Sequence, residues 1–332
     1  MPTNRLDTVT MYATFHTDIL NLFKGHWQWD NSDNEMHLHH WHSKTRHCYV
    51  RYFPDMWNRK RLYVTFSMPK LYNNSNSNTH PVMNFDTNIF MRRLFDELST
   101  VIDVSIIPNS LKSWFPSRTD LFHMIQIDPL DSKEIHRAYG RLMYRGVQAH
   151  TYMNTVYLHS ASKNPSVLLR SYNKSVEIRD RRSMLAGILP PALEDYHEDM
   201  MMCAEYPYEL YRIEFLLRRD AIKRYLGKMN LASDMLTMMD EGVQKHLMNT
   251  LIKARDMDLD ILSRRTYQQV ARAVAPTPKT EKNALGIASS IRNHKKPQFT
   301  AGQIRNVKKM MAQYGVSVVT ADSINIRGIS IK

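Results

Sequence analysis

Apolar positions in the first eighty residues recur at every second place. In Arg61–Ser67, Leu62, Val64 and Phe66 fall on one side and Tyr63 and Thr65 on the other, the period of a strand with one buried face. His47–Phe53 alternates in the same way, within a region rich in aromatic and β-branched residues. Asn73–Asn78 consists only of Asn and Ser, too polar to bury, and predicts a loop. The period then lengthens: Phe90, Leu94, Phe95, Leu98 and Val101 fall at helical spacing and predict a helix over Asn88–Val101.

Leu121–Asp128 reads as a buried strand ending in an acid. Asp131-Ser-Lys-Glu134 has the form of a capping box, opening a helix with Ile135, Ala138, Leu142 and Met143 inward and Gly146 as its stop. Thr155–His159 and Val167–Lys174 read as strands joined by an Asn-Pro turn, Arg182–Glu205 as loop and helix, and Tyr208–Arg218 as the clearest strand of the chain. From Ala221 helix-forming residues take over and strand signals cease. Pro276–Lys282 reads as an exposed linker. A last helix opens at Thr300, with Gln303 completing its box, and stops before Gly315; Val316–Thr320 makes a final short strand. The expected fold is α+β: residues 1–228 form an antiparallel sheet with packed helices, and residues 229–332 form a mostly helical, basic region.

Composition adds a partner. The 332 residues carry 45 Lys and Arg against 32 Asp and Glu, a net charge of +13. Such an excess points to a polyanion, because Lys and Arg contacts with phosphates release counterions. Cys48 and Cys203 give neither a disulfide framework nor a four-cysteine zinc site. The opening Met-Pro-Thr-Asn-Arg-Leu-Asp lacks the apolar stretch of a signal peptide, and no run approaches the ~20 apolar residues that span a bilayer. A soluble protein of the cytoplasm, with no membrane partner, is expected.

Three segments could carry chemistry. In Val167–Ile178, strand spacing puts Arg170, Tyr172 and Lys174 on one face. Neighbouring cations favour a phenolate and can hold a scissile phosphate, although a solvated charged face would look the same. In Tyr208–Arg218, Tyr211, Ile213, Phe215 and Leu217 form an apolar face, while Arg212, Glu214 and Arg218 lie on the other. Glu214 is there either a metal ligand or half of an exposed cross-strand ion pair. In Leu121–Asp128, Asp128 is either an oxygen ligand for a hard divalent cation or the cap of the turn opened by Pro129.

Taken in order, these segments resemble the replication initiators of filamentous phages, the gene II/X family, and more distantly the rolling-circle initiators of some Gram-positive plasmids. Thr65-Phe-Ser-Met-Pro-Lys-Leu-Tyr-Asn-Asn74 is similar to the family's Ser-Leu-Pro-Lys-Leu segment and its Asn-rich turn. Ile125-Gln-Ile-Asp128, after Trp114, stands where the family has an Arg-Ile-Asp strand, with Gln126 in the place of the arginine and His123 upstream. Tyr172-Asn-Lys-Ser-Val-Glu177 matches its Tyr-x-Lys-x-x-Glu element, and Arg212-Ile-Glu214 its Arg-apolar-Glu strand, followed by Arg218-Arg219.

The resemblance implies a metal-dependent DNA endonuclease and strand transferase. Tyr172 takes the nucleophile's place, Lys174, Glu177 and Arg212 complete the catalytic set, and Asp128 and Glu214 would hold Mg²⁺ or Mn²⁺. Residues 1–228 would be the nicking domain and residues 229–332 a DNA-binding accessory region. Nicking would leave a 5′-phosphotyrosyl enzyme and a 3′-OH for a host polymerase, working with a helicase, and a second transfer would close the displaced strand. Covalent storage of the bond energy needs no ATP, and the ten glycines supply no phosphate-cradling loop. Origin DNA, duplex and single-stranded, would be the partner, with Arg170, Arg218, Arg219, Lys295 and Lys296 as contacts.

Two other readings stay open. His37-Leu-His39-His40-Trp-His42 contains overlapping His-x-His pairs that could hold a metal opposite a tyrosine, or simply form a histidine-rich hairpin. A non-catalytic origin-binding protein or repressor would share the basic tail but need neither Tyr172 nor Glu214. An RNA-binding protein should expose stacking aromatics on a sheet, whereas the aromatics are scattered along this sequence.

Overall fold

The alternation seen in the sequence organises two units of a computed structural model, which describes residues 3–24, 28–30, 37–41, 48–56, 59–74, 81–142, 147–151, 155–160, 165–185, 208–293 and 298–331. In chain order the strands and helices are β1 (Thr3–Asn4), β2 (Leu6–Phe15), β3 (Gln28–Asp30), β4 (His37–Trp41), β5 (Cys48–Met56), β6 (Arg59–Ser67), α1 (Met68–Asn73), β7 (Val82–Met83), α2 (Thr87–Ser99) and β8 (Phe115–Ile127). They continue as α3 (Ser132–Gly140), β9 (Val147–Thr151), β10 (Thr155–Ser160), β11 (Val167–Asn173), α4 (Lys174–Leu185), β12 (Glu209–Arg218), α5 (Arg219–Lys228), α6 (Met235–Met239) and α7 (Glu241–Lys253). The chain ends with β13 (Asp260–Ser263), α8 (Arg264–Val274), α9 (Pro278–Arg292), α10 (Ala301–Gln313) and β14 (Val316–Ala321). The fold is α+β, as expected.

The first unit comprises Met1–Met124, Ile178–Tyr206 and Glu214–Gln244. Its sheet is antiparallel, in the order β3-β4-β5-β6-β2-β8. Val9, Met11 and Ala13 of β2 line up with Phe66, Val64 and Leu62 of β6, and all six are buried. Helix α2 is fastened at its start by Asp86, whose carboxylate accepts the Asn88 and Ile89 amides. It buries Phe90, Leu94 and Leu98, with the Phe90 ring 5.5 Å from that of Phe66. Each such side chain contributes roughly 1.5–3 kcal/mol, which holds the helix on one face of the sheet. The expected loop begins at Asn74, in the left-handed conformation at φ 53°; residues 75–78 lie outside the described residues.

Strand β8 starts at Phe115, six residues earlier than the apolar run suggested, because Arg118 and Asp120 satisfy one another within it. In this unit Arg5 donates to His123 Nδ1 at 3.4 Å, so the ring is neutral. Burial, with the Arg5 charge alongside, lowers its pKa to about 4.

The second unit comprises Ile125–Glu177, Pro207–Ile213 and Lys245–Lys332. Strands β9, β10 and β11 are antiparallel, with Thr155 opposite Tyr172, Val156 opposite Ser171 and Tyr157 opposite Arg170. Helix α3 buries Ile135, Ala138 and Tyr139. The expected capping box is absent: Asp131 makes no side-chain cap, and Glu134 instead accepts from the Ser323 amide at 2.5 Å, the Ser323 hydroxyl at 2.6 Å and the Ile324 amide. Those tertiary donors outcompete the local amide. Gly146 and Met143 lie outside the described residues.

The C-terminal part of this unit holds a strand where none was expected. Strand β13 pairs in parallel with β14, Asp260 opposite Val316 and Ser263 opposite Ala321. A parallel pair needs a crossover, which α8, α9 and α10 supply. Pro276–Lys282 is also not a linker. Thr277 accepts the Thr280 amide, Pro278 takes the first helical position and Glu281 the first turn, so only Ala275–Thr277 separate α8 from α9. The last helix is as expected: Thr300 and Gln303 form both halves of the capping box, and Gly315 turns the chain at φ 71°. No described helix is long and apolar enough to cross a membrane.

Candidate functional site

The second unit places Tyr172 on a sheet face. Along β11 burial alternates, with Leu169, Ser171 and Asn173 buried and Arg170 and Tyr172 half-buried. The Tyr211 hydroxyl lies 3.4 Å from Ser171 Oγ, and Glu209 accepts from Asn173 Nδ2, so Glu209 and Tyr211 share the buried face. Strand alternation therefore sends Arg212, fully buried, to the face that carries Arg170 and Tyr172.

The strand ends one residue earlier than the sequence suggested. Lys174 is not a strand residue beside Tyr172 but the first residue of α4. The cause is Asn173, whose Oδ1 accepts the Val176 amide at 3.0 Å and caps the helix. Its Nδ2 also donates to Ser132 Oγ at 2.6 Å, and Ser175 Oγ accepts the Leu210 amide at 2.9 Å. The turn after Tyr172 is thus pinned from three sides. Lys174 folds inward, 2% exposed, onto Glu177 Oε2 at 2.6 Å, while Glu177 is 36% exposed.

Burial separates Tyr172 from other tyrosines. The Tyr139 and Tyr211 rings meet at a tilt with centroids 5.8 Å apart, and burial raises both phenols far above their ordinary value. Tyr267 is raised by burial, and Tyr52 by burial and by Asp18. These four are held as neutral phenols, poor nucleophiles. Tyr172 is half-buried, two residues from Arg170 on the same strand face.

The two acids proposed as metal ligands fall in different units. Asp128 is exposed, and its Oδ1 accepts the Leu130 amide at 2.9 Å while its carbonyl accepts the Asp131 amide. It caps the turn, the alternative left open by the sequence. Glu214, in the first unit, is 2% exposed on a strand buried on both faces, so an exposed cross-strand pair is not what it makes. Among the described residues no group of three His, Cys, Asp or Glu side chains is arranged to hold a metal ion.

Of the expected DNA contacts, Arg218 is exposed at the end of β12, and the Arg219 guanidinium lies 5.2 Å from the centre of the Tyr12 ring. Lys295 and Lys296 lie outside the described residues. The histidine segment does form a strand, β4, with His39 opposite Gln28 and Arg51; its side chains and His42 lie outside the described residues.

Two features were missed in the sequence. Asp120, fully buried, takes a two-pronged contact from Arg118 at 2.9 and 2.6 Å. Arg118-Thr-Asp120 is an Arg-x-Asp spacing eight residues before Asp128, and that spacing was the signal that could have found it. Asn173 and Glu209 were passed over because neither is charged and exposed nor part of an apolar face.

No protein-family model matches this chain, and no curated protein does. Among solved structures it is similar to a rolling circle replication initiator protein from Geobacillus stearothermophilus, at 10% identity and a TM-score of 0.30, over 68% of this chain and 77% of that one.

Proposed function

We propose that the protein initiates rolling-circle replication by nicking one strand of origin DNA through Tyr172. The observation that carries this is a half-buried tyrosine on the sheet face shared with Arg170 and Arg212, at a turn fixed by Asn173. Arg170 and Arg212 bind the scissile phosphate and stabilise the charge that builds on it. The Tyr172 oxygen bonds to phosphorus, the bond to the 3′ oxygen breaks, and the phenol proton passes to solvent as the leaving oxygen takes one up. The products are a 5′-phosphotyrosyl enzyme and a 3′-OH end, which a host polymerase, served by a helicase, would extend. One ester replaces another, so no ATP is consumed. Lys174, held by Glu177, positions the strand end. A Mg²⁺ or Mn²⁺ requirement belongs to the same reading, through the carboxylates of Asp128 or Glu214, and adding a chelator tests it separately.

The duplex flanking the nick would be gripped by α8 and α9, where Arg264 and Arg265 are exposed at the start of α8, and by Lys295 and Lys296. The experiment is incubation with Mn²⁺ and supercoiled origin DNA, wild type beside Tyr172→Phe. A nick with a protease-sensitive covalent adduct, lost in the variant, is expected. Tight salt-sensitive origin binding with no nick would make the protein a repressor instead.

A further inference from the structure

One face of the first unit's sheet is apolar and covered by helix; the other is built of aromatic rings and arginines. Register sets out the second face row by row. Arg51 of β5 stands opposite Tyr63 of β6, Tyr63 opposite Tyr12 of β2, and Tyr12 opposite Phe115 of β8. In the next row come Tyr49, Thr65, Thr10 and Arg118, and on the other side Phe53, Arg61 and Thr14. The aromatics that look scattered in sequence are neighbours here, because each sits on the same parity of its own strand.

The rings touch one another and carry cations. Tyr12 and Tyr63 have centroids 5.2 Å apart, Phe53 and Tyr63 5.2 Å, and Tyr12 and Phe115 5.6 Å. Arg51 lies within 5.7–5.9 Å of the Tyr49, Phe53 and Tyr63 rings, and Arg61 and Arg219 lie 5.3 and 5.2 Å from Tyr12. Tyr12, Phe53 and Tyr63 are only 5–9% exposed, so the surface offered to a ligand is not the rings but the half-buried arginines over them, edged by Phe115 at 37%. On the same strand as Arg118, the buried Asp120 carboxylate is bound by Arg118 itself.

A guanidinium held over a ring is a planar cation with less rotamer freedom left to lose. Its outer side stacks on a nucleobase while its N–H groups reach a phosphate. Duplex DNA hides its base faces and would use only the charge. We propose that this face binds single-stranded DNA by stacking bases on the Arg51, Arg61 and Arg219 guanidinium groups, with Phe115 as a stacking ring at its border. The geometry selects single strands; the choice of DNA over RNA rests on the function proposed above.

The test is fluorescence anisotropy with oligo(dT) and oligo(U) of about 20 nucleotides and a duplex of equal length, at ~0.2 M salt. Wild type should prefer oligo(dT) over duplex at least tenfold. Arg51→Ala/Arg61→Ala should weaken oligo(dT) binding at least tenfold with little change for duplex. Arg51→Lys/Arg61→Lys keeps the charge, loses the plane, and should still lose at least fivefold; it is the variant to read if the alanine pair fails to fold in a thermal melt. Unchanged affinity in both pairs, a lysine pair equal to wild type, no preference over duplex, or tighter binding to oligo(U) would each overturn the proposal. Nicking is scored apart: a protein that binds oligo(dT) as described but does not nick leaves this face standing and removes only the endonuclease.

Discussion

Both units set arginine beside tyrosine on a sheet face, and they differ in which of the two is buried. In the first, Arg61 and Arg219 lie over Tyr12, whose ring is 5% exposed. In the second, Tyr172 is half-buried, while Arg212 on the same face is fully buried. Which group is outermost decides the chemistry. A covered ring stiffens a cation and makes a binding surface; a half-buried phenol on a face with a buried arginine can reach a phosphorus atom.

The sharpest way to break that contrast is to remove the Tyr172 hydroxyl. Tyr172→Phe should reduce strand nicking at least about a thousandfold, the scale of losing a nucleophile, while oligo(dT) affinity stays within twofold. A gel assay for the nick beside anisotropy separates the two. Residual nicking near wild-type rate would move the nucleophile to another tyrosine and dissolve the comparison.

Next in size is the turn that presents Tyr172. Asn173→Ala removes the α4 cap, worth about 1 kcal/mol, and deprives buried Glu209 of a donor, worth about 1–3 kcal/mol. Urea unfolding should show a loss of about 2–4 kcal/mol, with nicking reduced through misplacement of Tyr172. A loss below about 0.5 kcal/mol would mean that the turn is held elsewhere.

The framework of both faces was legible in the sequence, and their chemistry only in part. Leu62, Val64 and Phe66 against Tyr63 and Thr65 fix the two sides of β6 by period alone, and Thr300 with Gln303 marks the start of α10. Strand β13 escaped because four residues carry too little period to register. Thr277 and Pro278, read as linker, are helix-start residues whose meaning depends on the helix-forming residues after them. Tyr172 and Arg170 could be placed together by spacing two. Lys174 could not, because the cap that ends the strand is Asn173, whose partners Ser132 and Glu209 are far off in sequence. The arginine–aromatic face was invisible for the same reason: parity within a strand is local, but register between β2, β5, β6 and β8 is not.

A third test uses pH to load the first unit alone. His123 has its pKa lowered to about 4 by burial, against an ordinary value of 6.5. The unfolded chain therefore binds a proton that the folded chain refuses between those values, and stability falls as pH drops from 6.5 towards 4. At pH 5 the loss is about 2 kcal/mol, at about 1.4 kcal/mol per pH unit. Urea midpoints at pH 7 and pH 5 for wild type and His123→Gln measure it. The variant should lose most of this dependence, and oligo(dT) binding should weaken at pH 5 only as far as the first unit unfolds. An equal pH dependence in both proteins would mean that other groups carry it.

The smallest effect is the most telling, because it repeats the largest experiment on the other tyrosine. Tyr12→Phe keeps the ring beneath Arg61 and Arg219 and the contacts with Tyr63 and Phe115. The quadrupole that attracts a guanidinium belongs to the ring, not to the hydroxyl, so oligo(dT) affinity should change by less than about twofold and nicking not at all. Tyr12→Leu keeps apolar volume but removes the π face, freeing both arginines to swing, and should cost about threefold to tenfold in affinity, the lower part of the range for a lost stacking contact. Phenylalanine tolerated at Tyr12 and fatal at Tyr172 would show that one tyrosine serves as a surface and the other as an oxygen atom. Equal sensitivity at the two positions would mean that the difference in burial does not separate their roles.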